Sequence, residues 1–133
     1  MQTNRGKDHP NLALLERIDL HDIGGSKGVF ADDVVFDYFN PKLPDMQGDY
    51  VGPDGLRSFF EKIGRATEAT FKVDSVSATA FGDELVVFQT RNTMTLKGEE
   101  IDIGVILVWR VVDGRIAEFW DIPSIHASSN GDL

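Results

Sequence analysis

The stretch "VVFQTRNTMTLKGEEIDIGVILVWRVVDGRIAEFWDIP" (residues 86–123) decides the fold. Apolar and β-branched side chains alternate with polar ones along it. The alternation is broken only at "LKGEE" and "VDGR", where Lys97-Gly98 and Asp113-Gly114 supply the residue types that two-residue hairpin turns need. A third turn signal, "FGDE", stands upstream at Gly82 and Asp83. Phe71 to Ile122 therefore reads as an antiparallel meander of four strands.

Counting outward from those three central pairs predicts the register. One face collects Phe71, Val73, Val86, Phe88, Thr90, Asn92 and Met94, then the odd-numbered residues from Ile101 to Val111, and finally Ile116, Glu118 and Trp120. This is the expected core face, and Asn92 and Glu118 are its polar exceptions. The opposite face carries Asp74, Arg91, Asp102 and Arg110 together with Val76, Val87, Ile106, Val108 and Phe119. Asp74, Arg91 and Asp102 read as an exposed ion-pair ladder. The apolar remainder of that face is too large for a solvated surface and points to self-association.

Upstream of the meander, "VFADDVVFDYFNPKLP" puts Val34, Phe36 and Tyr38 on one side of a strand and Val35, Asp37 and Phe39 on the other. Pro41 and Pro44 end it, and a loop through Gly48, Gly52 and Pro53 leads to "PDGLRSFFEKIGR". There Leu56, Phe59, Phe60 and Ile63 form the buried stripe of a helix that starts at Pro53 and Asp54. An earlier helix is expected in "HPNLALLERIDL", with Leu12, Leu15 and Ile18 on one side, before the glycines of "HDIGGSKG" break it. The elements describe an α+β domain with helices packed against one face of a curled sheet.

The 133 residues, 41% hydrophobic, fit one domain, 1–133, with its core over about 10–126 and a loosely packed tail from Ala127. A net charge of −9 with no basic cluster argues against nucleic acid or an anionic membrane as partner. The absence of cysteine excludes disulfides, thiol nucleophiles and thiolate metal sites. The polar start "MQTNRGKDHPN" carries no signal-peptide pattern, so the cytoplasm is the expected compartment. His9, His21 and His126 show no metal-binding spacing, no phosphate-loop or dinucleotide motif occurs, and no cofactor is expected.

A curled sheet closed by helices leaves a hollow, and the polar groups able to enter it are Tyr38, Asn40, Asn92, Glu118 and Asp121. Phe36, Phe59, Trp109, Trp120 and a returning His126 complete the expected substrate-binding wall. Asp121 has two readings. It is a general acid or base if surrounding rings desolvate its carboxyl, or an ionised aspartate bonded to backbone N–H groups at a strand end. Strict alternation turns Asp121 away from Trp120, with Phe119, so entry to the hollow requires a bend.

The segments "GVFADDVVFDYF", "GDYVGPDGLRSFF" and "VWRVVDGRIAEFWDIP" resemble the SnoaL-like branch of the nuclear transport factor 2 (NTF2-like) superfamily, which includes ketosteroid isomerases and polyketide cyclases. The resemblance implies a cone-shaped, curled mixed sheet with helices on its concave face, an apolar pocket, and a homodimer packed through the sheet. It places Tyr38 where ketosteroid isomerases carry their base and Leu107 near their second acid, so that set of groups is not present. The SnoaL-like cyclases use an aspartate near the end of the last long strand, and Asp121 is the similar position. The implied catalytic pair is Asp121 with Tyr38, acting by acid/base cyclisation or isomerisation of an apolar carbonyl compound. The alternative is a domain of the same fold that binds a small hydrophobic ligand without catalysis. The aspartate, arginine and aspartate of the epoxide hydrolase branch find the right types in Asp74, Arg91 and Asp102, but on the outer face.

Overall fold

The computed structural model describes residues 9–18 and 28–124. His21, His126, the glycines of "HDIGGSKG" before Gly28, and the tail from Ala127 lie outside them. The first helix, α1, is Pro10–Leu15, shorter than its sequence pattern. Proline occupies the first turn and the His9 side chain accepts from the Asn11 N–H at the N-cap. Arg17 and Ile18 then donate to Leu14 and Leu15, tightening the chain into a three-residue repeat that ends the helix.

The strands are β1 (Phe30–Tyr38), β2 (Gly48–Val51), β3 (Lys72–Phe81), β4 (Leu85–Leu96), β5 (Glu99–Val112) and β6 (Arg115–Pro123), with the second helix, α2, at Gly52–Ala66. They form one curled, unclosed sheet in the order β2-β1-β6-β5-β4-β3. β1 runs parallel to β6 and every other neighbour is antiparallel. The expected meander is β3 to β6. The residues expected as a loop before Gly52 form β2, which pairs with β1 through Val35–Val51 to Tyr38–Gly48.

Helix α2 buries Leu56, Phe59 and Ile63 at helical spacing and packs on β1 and β2. It lies close: a Cβ on Gly55 would stand 2.9 Å from the Tyr50 carbonyl carbon, so only glycine fits there. The core beneath holds the stacked rings of Phe36, Phe119 and Trp109, at centroid distances of 4.3 and 4.6 Å, laid across β1, β6 and β5. Such pairs contribute about 0.5–1.5 kcal/mol beyond their buried area.

Within the meander, register departs from simple counting at two bulges. The β4–β5 hairpin follows it, from Leu96–Glu99 to Leu85–Arg110, through a turn in which Lys97 and Gly98 both have positive φ (51° and 82°). The β3–β4 turn holds one residue more than expected, because Phe81 pairs with Leu85. A bulge between Ser75 and Ser77 removes the offset, so Asp74 still faces Arg91. In β6 the pairing begins as Val112–Arg115 and Val111–Ile116, then shifts at Ala117 to Arg110–Glu118 and Trp109–Phe119.

That second bulge corrects the predicted faces. Glu118 and Trp120, expected on the core face, lie on the outer face. There Arg110 Nε donates to Glu118 Oε1 at 3.1 Å, and the Arg110 guanidinium sits 5.5 Å from the Trp120 ring centroid. Arg110 also pairs with Glu84. Phe119, expected outside, is buried against Trp109. The outer-face ladder is the Arg91–Asp102 pair, joined by two hydrogen bonds of 2.6 Å.

Candidate active site

Beyond Ala117 every inward position of β6 is odd-numbered, so the rows of the concave face can be read across the sheet. Phe36, Phe119, Trp109 and Val86 form one row, and Tyr38, Asp121, Leu107 and Phe88 form the next. Tyr38 and Asp121 are direct partners in the parallel β1–β6 pairing. The bulge supplies the bend that Asp121 needs to reach the hollow.

The hollow is lined by Phe36, Tyr38, Asn40, Phe59, Phe60, Phe71, Val73, Asn92, Met94, Ile103, Val105, Leu107, Trp109, Phe119, Asp121 and Pro123. Its volume, measured to the centre of a water molecule, is about 40 Å³, room for roughly three waters. Among the expected site residues, Phe36, Tyr38, Asn40, Phe59, Asn92, Trp109 and Asp121 come together on this wall. Glu118 and Trp120 do not, being held outside by Arg110, and His126 lies outside the described residues. Phe60, Phe119 and Pro123 line the wall without having been singled out. The signal for Phe119 was Glu118 itself, since a carboxylate on an otherwise apolar face marks a register shift.

Five polar side chains belong to the cavity wall. Asn40 Nδ2 donates to Tyr38 Oη at 3.1 Å, while Asn40 Oδ1 accepts from the Lys42 N–H and the Asn40 N–H donates to Gln47 Oε1, both at 3.0 Å. Because Tyr38 Oη accepts from Asn40, its own proton remains available to a ligand. Burial, and then the nearby Asp121 charge, push the Tyr38 phenol well above its usual range, so it stays a neutral donor. Asn92 receives the Thr90 hydroxyl on Oδ1 at 3.0 Å, which leaves its amide N–H groups as donors. Burial raises the Asp121 carboxyl to about 7, and no hydrogen bond to a described residue offsets it. Trp109, the fifth, is fully buried, and its indole N–H has no partner among the described residues.

Such an arrangement can take a proton from a carbon acid at Asp121 and place a phenol O–H beside the charge that develops. Among the described residues, no three His, Asp or Glu side chains are grouped as a metal site. No helix among them is long and apolar enough to cross a membrane.

A SnoaL-like domain matches residues 12–119, and the chain belongs to that family. Its fold is that of NTF2-like proteins. One from Anabaena variabilis superposes with a TM-score of 0.74 at 13% identity, over 99% of both chains. Bal32a, from a soil-derived mobile gene cassette, gives a TM-score of 0.75 at 18% identity, over 95% of this chain and 98% of the other. A SnoaL-like putative polyketide cyclase from Jannaschia sp. CCS1 gives 0.70 at 14% identity, over 92% of each. No curated protein matches the chain.

Proposed function

We propose that the protein is an acid/base enzyme acting on a small apolar carbonyl compound, with Asp121 as the proton carrier and Tyr38 as the donor to the carbonyl oxygen. The observation that carries this reading is the pairing of a desolvated, unbonded carboxyl with a neutral phenol on one wall of an apolar cavity. The carboxylate removes a proton alpha to the carbonyl. The C–H electron pair becomes the enolate double bond, and the oxygen that gains charge is stabilised by the Tyr38 O–H. Asp121, now protonated, returns the proton at another carbon for isomerisation, or to the alkoxide formed when the enolate carbon attacks a second carbonyl for cyclisation. Rings on the walls hold the reacting atoms together, which is where intramolecular closure gains most. Family membership and a fold shared with a putative polyketide cyclase support the same reading.

The same proposal takes a second copy of the chain against the outer face, where Ile106 and Ile122 pair with their side chains exposed. The enzymatic reading is tested by deuterium exchange at the alpha carbon of cyclohexanone in heavy water. Exchange catalysed by the protein and abolished in Asp121→Asn is the expected result. Binding without exchange would reduce the domain to a ligand carrier.

A further inference from the structure

The acid/base reading employs Asp121 and Tyr38 and leaves the amide of Asn92 without a role. Asn92 is buried and lines the hollow from β4. Thr90, fully buried on the same face of the same strand, donates its hydroxyl proton to Asn92 Oδ1 at 3.0 Å. The other acceptor in range, the Val105 carbonyl, stands at 3.4 Å, beyond the usual span for a hydroxyl, so the proton goes to the amide. That bond fixes which end of the amide is which. Oδ1 is engaged by the wall, and Nδ2 is left with two N–H donors.

No described residue takes those donors, since the Thr90 contact is the one hydrogen bond of the Asn92 side chain among them. Nδ2 is also open to water. Among the described residues the unpaired side-chain atom sealed from water is Trp109 Nε1, and Asn92 Nδ2 is not in that state. A valine and a leucine would fill positions 90 and 92 of an apolar wall without burying a hydroxyl and an amide. The Thr90 bond accounts for Oδ1 and leaves the surplus donors unexplained.

The amide also stands apart from the reacting groups. Asp121 faces Leu107 and Asn92 faces Ile103, with the row of Pro123, Val105 and Thr90 between them. Two inward rows are about 14 Å along a flat sheet. Here the sheet curls, and Asp121, Tyr38 and Asn92 line one narrow hollow of about 40 Å³.

We propose that Asn92 is a specificity determinant whose Nδ2–H receives a second acceptor oxygen of the ligand, so that the cavity selects slender compounds with oxygens at both ends. One is the carbonyl between Asp121 and Tyr38, and the other is a carbonyl or ether oxygen at Asn92. Which oxygen reacts rests on the acid/base reading; the second contact does not.

The test compares hexane-2,5-dione and octane-2,7-dione, each with the methyl ketone of equal length. The reporter is the Asn92 side-chain amide pair in nuclear magnetic resonance spectra of protein labelled with nitrogen-15 at asparagine, assigned through its contact with Thr90. The expected result is that at least one dione moves this pair downfield and binds about tenfold more tightly than its monoketone, the worth of one added hydrogen bond. In Asn92→Leu that preference disappears. An unmoved amide pair, equal affinities throughout, no binding of either dione, or a preference that survives Asn92→Leu overturns the assignment. Should Asn92→Leu fail to fold, the amide shift and the affinities in the unaltered protein decide alone. Deuterium exchange in the same samples separates the two readings. No exchange with the amide shift intact removes the catalytic role of Asp121 and leaves the Asn92 contact standing; exchange with an unmoved amide does the reverse.

Discussion

Asp121 is an acid whose strength is set by its surroundings. Its carboxyl has a folded-state value of about 7 against an ordinary 3.8, with burial as the cause. The sign of the linkage follows. The protonated form is the one the fold favours, so its stabilising effect is complete below about pH 4 and is lost as pH rises through about 7. Asp121→Asn should therefore raise stability above pH 7, by roughly 2–4 kcal/mol, and change it little near pH 4, read as denaturation midpoints across that range. Activity should run the other way. Proton abstraction needs the carboxylate, so the rate should climb through about pH 7. Asp121→Asn should lower it by about 10²–10⁴-fold, measured as exchange or turnover. Tyr38→Phe removes the oxyanion donor and leaves Asn40 Nδ2 without its acceptor. Turnover should fall by about 10²-fold, with the pH midpoint of the rate held near that of Asp121.

At the scale of elements, the decisive feature is the extra residue at Ala117. Deleting Ala117 would remove the bulge and leave Glu118 opposite Arg110 and Phe119 opposite Trp109 in plain alternation, with Phe119 and Asp121 still facing inward. The deletion should therefore keep a cooperative thermal transition, and Ala117→Gly should cost about 1 kcal/mol or less, both seen by circular dichroism melting. The hairpin turns, the stripe of α2 and the inward set Phe36, Tyr38, Asn92 and Trp109 were legible in the sequence because period and turn chemistry are local. The bulges were not, since each depends on how neighbouring strands curl. In β3 a longer turn and a bulge cancel, so Asp74 opposite Arg91 emerged correctly from an incomplete count. In β6 nothing cancels, and the error persisted through Glu118, Phe119, Trp120 and Asp121. β2 escaped because its four residues alternate too briefly to show a period.

Across the whole molecule, the outer face combines exposed Ile106 and Ile122 with acidic groups near one edge. Replacing both isoleucines with glutamate should convert the proposed dimer to a monomer in light scattering and leave the ring stack intact. On β1 and β2, Asp37 faces Asp49. Burial, then hydrogen bonding to Asp49 and the Asp49 and Glu118 charges, lift the Asp37 carboxyl to about 6. Asp49→Asn should lower it toward the ordinary range, detected by carboxyl carbon resonances through a pH titration. The parallel seam between β1 and β6 carries a different kind of consequence, one of timing. Tyr38 comes from the first strand and Asp121 from the end of the last, so their encounter requires the longest loop closure in the sheet. On the ribosome the meander can assemble hairpin by hairpin as it emerges, but the cavity gains its acid only when β6 slots against β1. Any chain interrupted within the final strand would hold most of the architecture and none of the proposed chemistry.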